Sequence, residues 1–294
     1  MRPLRGIALK LGSVLVFIVM SSMIKATAQH VPAGQAVFFR SFFAIPVIVA
    51  WLALRRELAI GFRTANPLGH VWRGFAGTCA MGMGFAGLGY LPLPEVTAIG
   101  YAAPLLTVIF AAMFLNEEVR LFRLTAVALG LAGVMIVLSP RLTVVSDGAG
   151  HQEAFGAMLV LGGAVFAALA QVFVRKLVAG EKTATIVFYF SVTSTLLSLV
   201  TIPFGWVIPT PVEAATLVAA GLLGGVGQIL LTSSYRFADA SVVAPFDYAS
   251  MLFALAFGWF IFGELPTLTM LAGAALVVTA GLLIIWRERA LGLE

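Results

Sequence analysis

Cysteine is almost absent: Cys79 stands alone in 294 residues, so no intrachain disulfide can staple the fold and no cysteine-based metal site can be assembled. Histidine is nearly as scarce. His30, His70 and His151 are widely separated, no zinc or haem spacing joins them, and neither a metal nor a cofactor is expected. Charge is also short, with Lys, Arg, Asp and Glu together making up 11% of the chain against roughly 25% in ordinary soluble proteins. That supply of charge cannot keep a chain of 61% hydrophobic residues and 23 Phe, with a mean hydropathy of +1.05, dissolved in water. A soluble enzyme and a nucleic-acid-binding domain are thereby excluded, and the lipid bilayer is the expected partner of an all-α integral membrane protein.

What is present is a succession of apolar windows bounded by charge, Pro and Gly. Each spanning helix needs about 20 apolar residues, and the windows predict ten, over residues 6–28, 33–54, 69–90, 92–114, 121–139, 154–176, 184–204, 213–237, 239–262 and 266–287. The net charge of +5 and pI near 9.7 would point to nucleic acid in a soluble protein. Here the cations orient helices. With a cytoplasmic N-terminus the inner segments hold Arg2, Arg5, Arg55, Arg56, Arg63, Arg120, Arg123, Arg175, Lys176, Lys182, Arg236, Arg287 and Arg289, whereas the outer loops hold only Arg141. Both termini are therefore expected in the cytoplasm, with the protein in the inner (plasma) membrane. The first thirty residues imitate a secretory signal, ending in Ala26-Thr27-Ala28, but Lys25 beside the cleavage position and the downstream charge bias argue that this helix is retained.

Sliding the chain along itself until Tyr101 meets Tyr248 also brings Val96 onto Val243, Phe110 onto Phe257, Glu117 onto Glu264, and Gly74 and Gly77 onto Gly221 and Gly224. The shift covers five helices, an odd number, so the two halves run oppositely through the membrane, as in transporters built from inverted repeats. The expected organisation is a five-helix repeat over 1–140, a linker over 141–153 containing Asp147, Gly148 and Gly150, and an inverted repeat over 154–294.

Phe39-Arg40 in the second helix, the stretch AIGYAAPLLTVIFAAMFLNE from Ala98 to Glu117, and its echo APFDYASMLFALAFGWFIFGE from Ala244 to Glu264 resemble the drug/metabolite transporter superfamily in its ten-helix EamA type. Within it the whole chain is most similar to the aromatic amino-acid exporter group (YddG-like). The resemblance implies two inverted five-helix bundles around a central cavity, a small-molecule substrate, and export from the cytoplasm. Uptake of a vitamin or nucleoside-type metabolite, such as riboflavin or S-adenosylmethionine, is the alternative within the family. Pro104 and Pro245 do not superimpose under the repeat, which predicts that the two halves break their helices at different depths.

Polar groups within the windows are the candidates for function. Asp247 lies about 12 Å into the ninth helix, where a carboxylate is protonated, paired or wetted; it serves either a substrate ammonium or proton, or as a structural partner for a nearby basic group or a freed backbone amide beside Pro245. Arg40 can receive a substrate carboxylate or hold Glu95 in a gate-like ion pair, and Lys25 can snorkel to the outer surface. Tyr101 and Tyr248, beside the helix-kinking Pro104 and Pro245, read as cavity walls or as ordinary packing. Gln228 and Gln171 are lining or interhelical glue, while Phe17, Met83 and Phe166 would give an aromatic, apolar wall. Glu117 and Glu264 close equivalent helices and read as structural. Gly82 to Gly87 formally matches a dinucleotide motif, but no strand precedes it, and its glycines read as close helix packing.

No Ser-His or paired-Asp constellation supports an intramembrane enzyme, and no charge ring or selectivity loop supports a channel. A binding site mostly apolar and aromatic, with charge confined to a few groups, would suit amino acids with bulky or aromatic side chains.

Overall fold

The computed structural model describes residues 3–115, 121–143, 150–178, 180–237 and 244–290. These residues form helices and their connections, with no strand among them. The helices are α1 (Pro3–Thr27), α2 (Ala33–Phe42), α3 (Ala44–Leu54), α4 (Leu58–Gly61), α5 (Pro67–Leu88), α6 (Leu93–Gly100), α7 (Ala102–Leu115), α8 (Leu121–Thr143), α9 (Gly150–Val178), α10 (Thr183–Leu199), α11 (Pro211–Phe237), α12 (Ala249–Phe262) and α13 (Leu268–Ala290). Short 3-10 turns occupy Ile202–Phe204 and Ala244–Tyr248.

Among the described residues, six helical stretches are long and apolar enough to cross a membrane: Leu4–Thr27, Ala33–Leu54, Leu93–Phe114, His151–Val174, Pro211–Leu231 and Leu268–Arg287. Leu124–Pro140, Ala184–Leu199 and Phe246–Phe262 are shorter apolar helices, and α5 fills the remaining expected window. Large apolar side chains such as Leu54, Met113, Phe260 and Trp286 face outward, which water would penalise and lipid does not. The protein is a multi-pass membrane protein.

Local chemistry sets several boundaries. Pro46 and Pro104 are the third residues of α3 and α7; each lacks the N–H that would continue the helix and crowds the carbonyl four residues earlier, so α2 stops at Phe42 and α6 at Gly100. In the second half the 3-10 turn gives way to α12 after Tyr248. The helices resume after Tyr101 and Tyr248, positions that the sequence comparison pairs, rather than at the offset positions that the prolines suggest. Pro104 acts backward on Gly100 while Pro245 sits inside the turn itself, so prolines at unmatched positions produce junctions at matched ones. Asn66 caps α5 by accepting the Gly69 N–H at 2.9 Å, with Pro67 at the first helical position. Thr210 and Glu213 form a reciprocal cap on α11, the Thr210 N–H donating to Glu213 Oε2 at 2.8 Å and the Glu213 N–H to Thr210 Oγ1 at 3.3 Å.

The most extensive packing joins α1 to α11, α5 to α9, and α8 to α13. One apolar core gathers Ile99, Leu105, Val134, Val160 and Val277; another gathers Ile24, Val37, Leu88, Leu217 and Ala254. In the α8–α13 crossing a Cβ on Gly133 would lie 2.8 Å from the Gly273 carbonyl oxygen, and one on Gly273 2.6 Å from that of Gly133, so only glycine lets these backbones approach so closely.

Candidate functional site

Two ion pairs tie α1 to the segment running from the 3-10 turn through α12. Near the start of α1, Lys10 Nζ lies 2.7 Å from Asp247 Oδ1; the lysine side chain is 2% exposed and the aspartate 50%. Lys10 falls inside the first apolar window, and the sequence reading passed over it: a cation at that depth requires an anion, and Asp247 was the intramembrane aspartate available. Near the other end, Lys25 Nζ lies 2.9 Å from Glu264 Oε1, both side chains being largely buried. The same ammonium donates to the carbonyls of Leu91 at 2.7 Å and Leu88 at 3.2 Å. Glu264 Oε2 accepts the Leu93 N–H at 2.8 Å, satisfying an otherwise orphaned donor at the start of α6.

This arrangement depends on how α12 ends. Gly263 takes a left-handed conformation, φ +66°, where its N–H reaches Trp259 O and the Glu264 N–H reaches Gly258 O, closing a left-handed cap that carries Glu264 back to α6. Lys25 therefore does not snorkel, because three acceptors hold it within the protein. Glu264 belongs to an intramembrane-edge network as well as to a helix end. Its repeat partner Glu117 lies outside the described residues.

Arg40 does not hold Glu95: no ion pair between them is present among the described residues. Glu95 is buried in the first turn of α6. Arg40 is 3% exposed and sits with its guanidinium carbon 5.5 Å from the centre of the Phe190 ring, while Arg73 packs on the same ring at 4.0 Å. Nε and Nη1 of both arginines are buried without a hydrogen-bond partner. Room for them comes from glycine: a Cβ on Gly224 would approach Arg40 Nε at 3.2 Å, and one on Gly77 would collide with Arg73 Nη1 and the Phe190 ring. Arg73 was absent from the sequence candidates, although its place among apolar residues in the third window was a usable signal.

The two tyrosines meet. Their ring centres are 5.1 Å apart, edge to face, and the Tyr101 hydroxyl shares a 2.6 Å hydrogen bond with Ser250 Oγ. Tyr101 is buried, and the Tyr248 hydroxyl fits against Gly281 of α13. Met83 and Phe166 share an apolar cavity of about 470 Å³ with Val37, Phe75 and Thr78. Phe17 packs against Gly227 instead, Gln228 is half-buried on α11, and Gln171 is exposed on α9. Pro104 is exposed. Pro245 lies in the 3-10 turn, and its side chain is outside the described residues. A second cavity, about 670 Å³, opens beside the Lys25 end of α1 and is lined by Ile24, Gln29, Phe85, Tyr90, Gln152 and Glu153 among others.

Polar clusters also brace the two ends of the bundle. Glu181 accepts from Thr64 Oγ1 at 2.6 Å and from the N–H groups of Ala65 and Asn66 at 2.7 and 3.1 Å. Desolvation raises its pKa, but these donors and His70 outweigh it and hold the carboxyl below its ordinary value. At the opposite end Glu213 accepts from the Thr210 N–H at 2.8 Å and lies 3.0 Å from His30 Nδ1.

Comparison with known proteins shows what this architecture matches. The model of the EamA-like transporter family matches twice, over residues 4–139 and 154–286. A pseudopaline exporter of Pseudomonas aeruginosa is 30% identical over 94% of each chain. An S-adenosylmethionine uptake transporter of Rickettsia bellii is 28% identical over 97% of this chain and 96% of its own. A riboflavin transporter of Rhizobium johnstonii is 30% identical over 87% and 82%. A protein crystal structure sharing 20% identity superimposes with a TM-score of 0.67 over 97% of this chain and 98% of its own. These named relatives do not support the narrower resemblance to an aromatic amino-acid exporter.

Proposed function

Because this chain belongs to the EamA-like transporter family and is a small-metabolite transporter rather than an enzyme, we propose that it is a secondary carrier working by alternating access. The observation that carries this reading is the pair of ion pairs along α1. Lys10 and Lys25 are about 22 Å apart along the helix, and each engages one end of the same neighbouring segment. Opening toward one side requires breaking one pair while the other holds, which couples exposure of one face to closure of the other. Asp247 is the more exposed member of its pair, so a solute ammonium or a proton reaches it before it reaches Lys10.

The inverted repeat supports the same mechanism. Packing of α1 on α11 corresponds, under exchange of the halves, to packing of α9 on α5, and the family model matches each half separately. We read the chain as ten spans in two opposed bundles, in the plasma membrane with both termini cytoplasmic, driven by a solute or proton gradient. Outward movement of amino acids with bulky or aromatic side chains is the first cargo class to test; uptake is the second reading, supported by the names of the Rickettsia and Rhizobium relatives. Purified protein in liposomes preloaded with Phe, Tyr, Trp, Met, S-adenosylmethionine or riboflavin should show saturable counterflow of its cargo. Flux that neither saturates nor shows counterflow would reject the carrier.

A further inference from the structure

Among the described residues, the buried side-chain nitrogens and oxygens lacking a hydrogen-bond partner belong to Arg40, Ser41, His70, Arg73 and Ser191. These residues lie on three helices that pack together, α2, α5 and α10; His70 faces Glu181, and each of the others can donate a hydrogen bond. Arg40 and Arg73 share the ring of Phe190; Ser41 and Ser191 follow Arg40 and Phe190 in the chain and are fully buried. Where Lys10 and Lys25 each have a carboxylate, the guanidinium groups have an aromatic face. A ring quadrupole offsets only part of the desolvation of a buried cation, and it offers no acceptor to the N–H groups.

Two buried cations with unpartnered N–H groups have the chemistry that recognises an anion. A guanidinium is always charged and presents a fork that fits a carboxylate through two parallel hydrogen bonds. A single carboxylate leaves one of the two charges uncompensated. Two match them. The glycines that make room, Gly77 and Gly224, occupy equivalent places in the two halves, so the pair sits where the repeats meet. The apolar cavity bounded by Val37, Phe75, Met83 and Phe166 runs along the same helices, with Val37 one turn from Arg40 on α2, and offers a place for a hydrophobic body.

We propose that Arg40 and Arg73 together bind a solute bearing two carboxylates, and that the cargo is an organic dianion with an apolar or aromatic body. This rests on the carrier reading for transport, but binding is testable without it. The probes are benzylsuccinate, with two carboxylates, and 3-phenylpropanoate, which has the same ring and one. Binding to the detergent-solubilised full chain is followed by the ligand-induced shift in melting temperature, and transport by counterflow in liposomes alongside phenylalanine.

The expected result is that benzylsuccinate binds at least tenfold more tightly than 3-phenylpropanoate. Arg40→Gln and Arg73→Gln should each bring that ratio near one, while their ligand-free melting temperatures equal or exceed that of the wild type, because each removes a buried charge that has no carboxylate. A structural arginine would lower the ligand-free value instead. If either Gln variant fails to fold, Arg40→Lys and Arg73→Lys take its place, and should keep the dianion preference at reduced affinity. Equal wild-type binding of the two probes overturns the proposal. Phenylalanine counterflow without dianion preference leaves the carrier standing and removes the dianion site; dianion preference without counterflow of any solute does the reverse.

Discussion

Replacing Lys25 with Met tests the closure of α1 against α6 and α12. Lys25 makes one charged contact and two carbonyl hydrogen bonds, so the substitution leaves Glu264 with the single N–H of Leu93 and deprives the Leu88 and Leu91 carbonyls of a donor. Removing one partner of a buried pair costs about 3 to 5 kcal/mol. The side chains retain 13% and 16% exposure, which places the expected loss near the lower end, at about 3 kcal/mol. Glu264→Gln is milder, since the amide oxygen still accepts from Leu93 and the ammonium keeps its two carbonyls. Losing one charge-assisted bond there costs about 1.5 kcal/mol. The two variants should thus differ by roughly tenfold in unfolding equilibrium, and the double variant should be less destabilised than the sum of the singles. Equilibrium unfolding in mixed micelles reads this out. Equal losses, or a larger loss for Glu264→Gln, would refute the account of Lys25 as the centre of this network.

Gly281→Ala places a methyl group where the Tyr248 hydroxyl lies, and should cost about 1 to 3 kcal/mol by overpacking; the companion change Tyr248→Phe should recover part of that loss in the same unfolding assay. Glu181 has its carboxyl lowered in the folded chain, so its contribution is present above the ordinary value of 4.5 and disappears as pH falls through the lower folded value. Glu181→Gln should accordingly lower stability at neutral pH and converge on the wild type in acid, which flattens the acid side of the stability profile. Asp247→Asn should impair transport or alter its pH dependence in a protein that still folds, and wild-type transport at every pH would leave Asp247 only a structural partner of Lys10. A cysteine introduced at position 60, in a Cys79→Ser background, should resist a membrane-impermeant thiol reagent added to intact cells; labelling there would reverse the proposed orientation.

Residue-level patterns explain why some features were legible without coordinates. The shortage of charge and the repeated apolar windows required a helical membrane protein, because only satisfied backbones survive in lipid. The site was less visible. Asp247 and Arg40 stood out because an isolated charge in an apolar window is costly wherever it lies, yet Arg40 was expected to meet Glu95 and Lys25 to reach the surface. Their environments depend on residues from distant helices: Phe190 for Arg40, and Glu264 with the Leu88 and Leu91 carbonyls for Lys25.

By itself, the sequence determined the solvent, the helical class and the charges that had to be compensated. Those follow from composition and spacing along one chain. Tertiary structure decided which charges were compensated and by what: Lys10 by Asp247, Lys25 by Glu264, and Arg40 and Arg73 by a shared ring with no carboxylate. Coulomb and hydrogen-bond energies depend on distances of a few ångström in a medium of low dielectric, and those distances are set by how the helices cross, which glycines such as Gly77 and Gly224 permit only after the helices have packed.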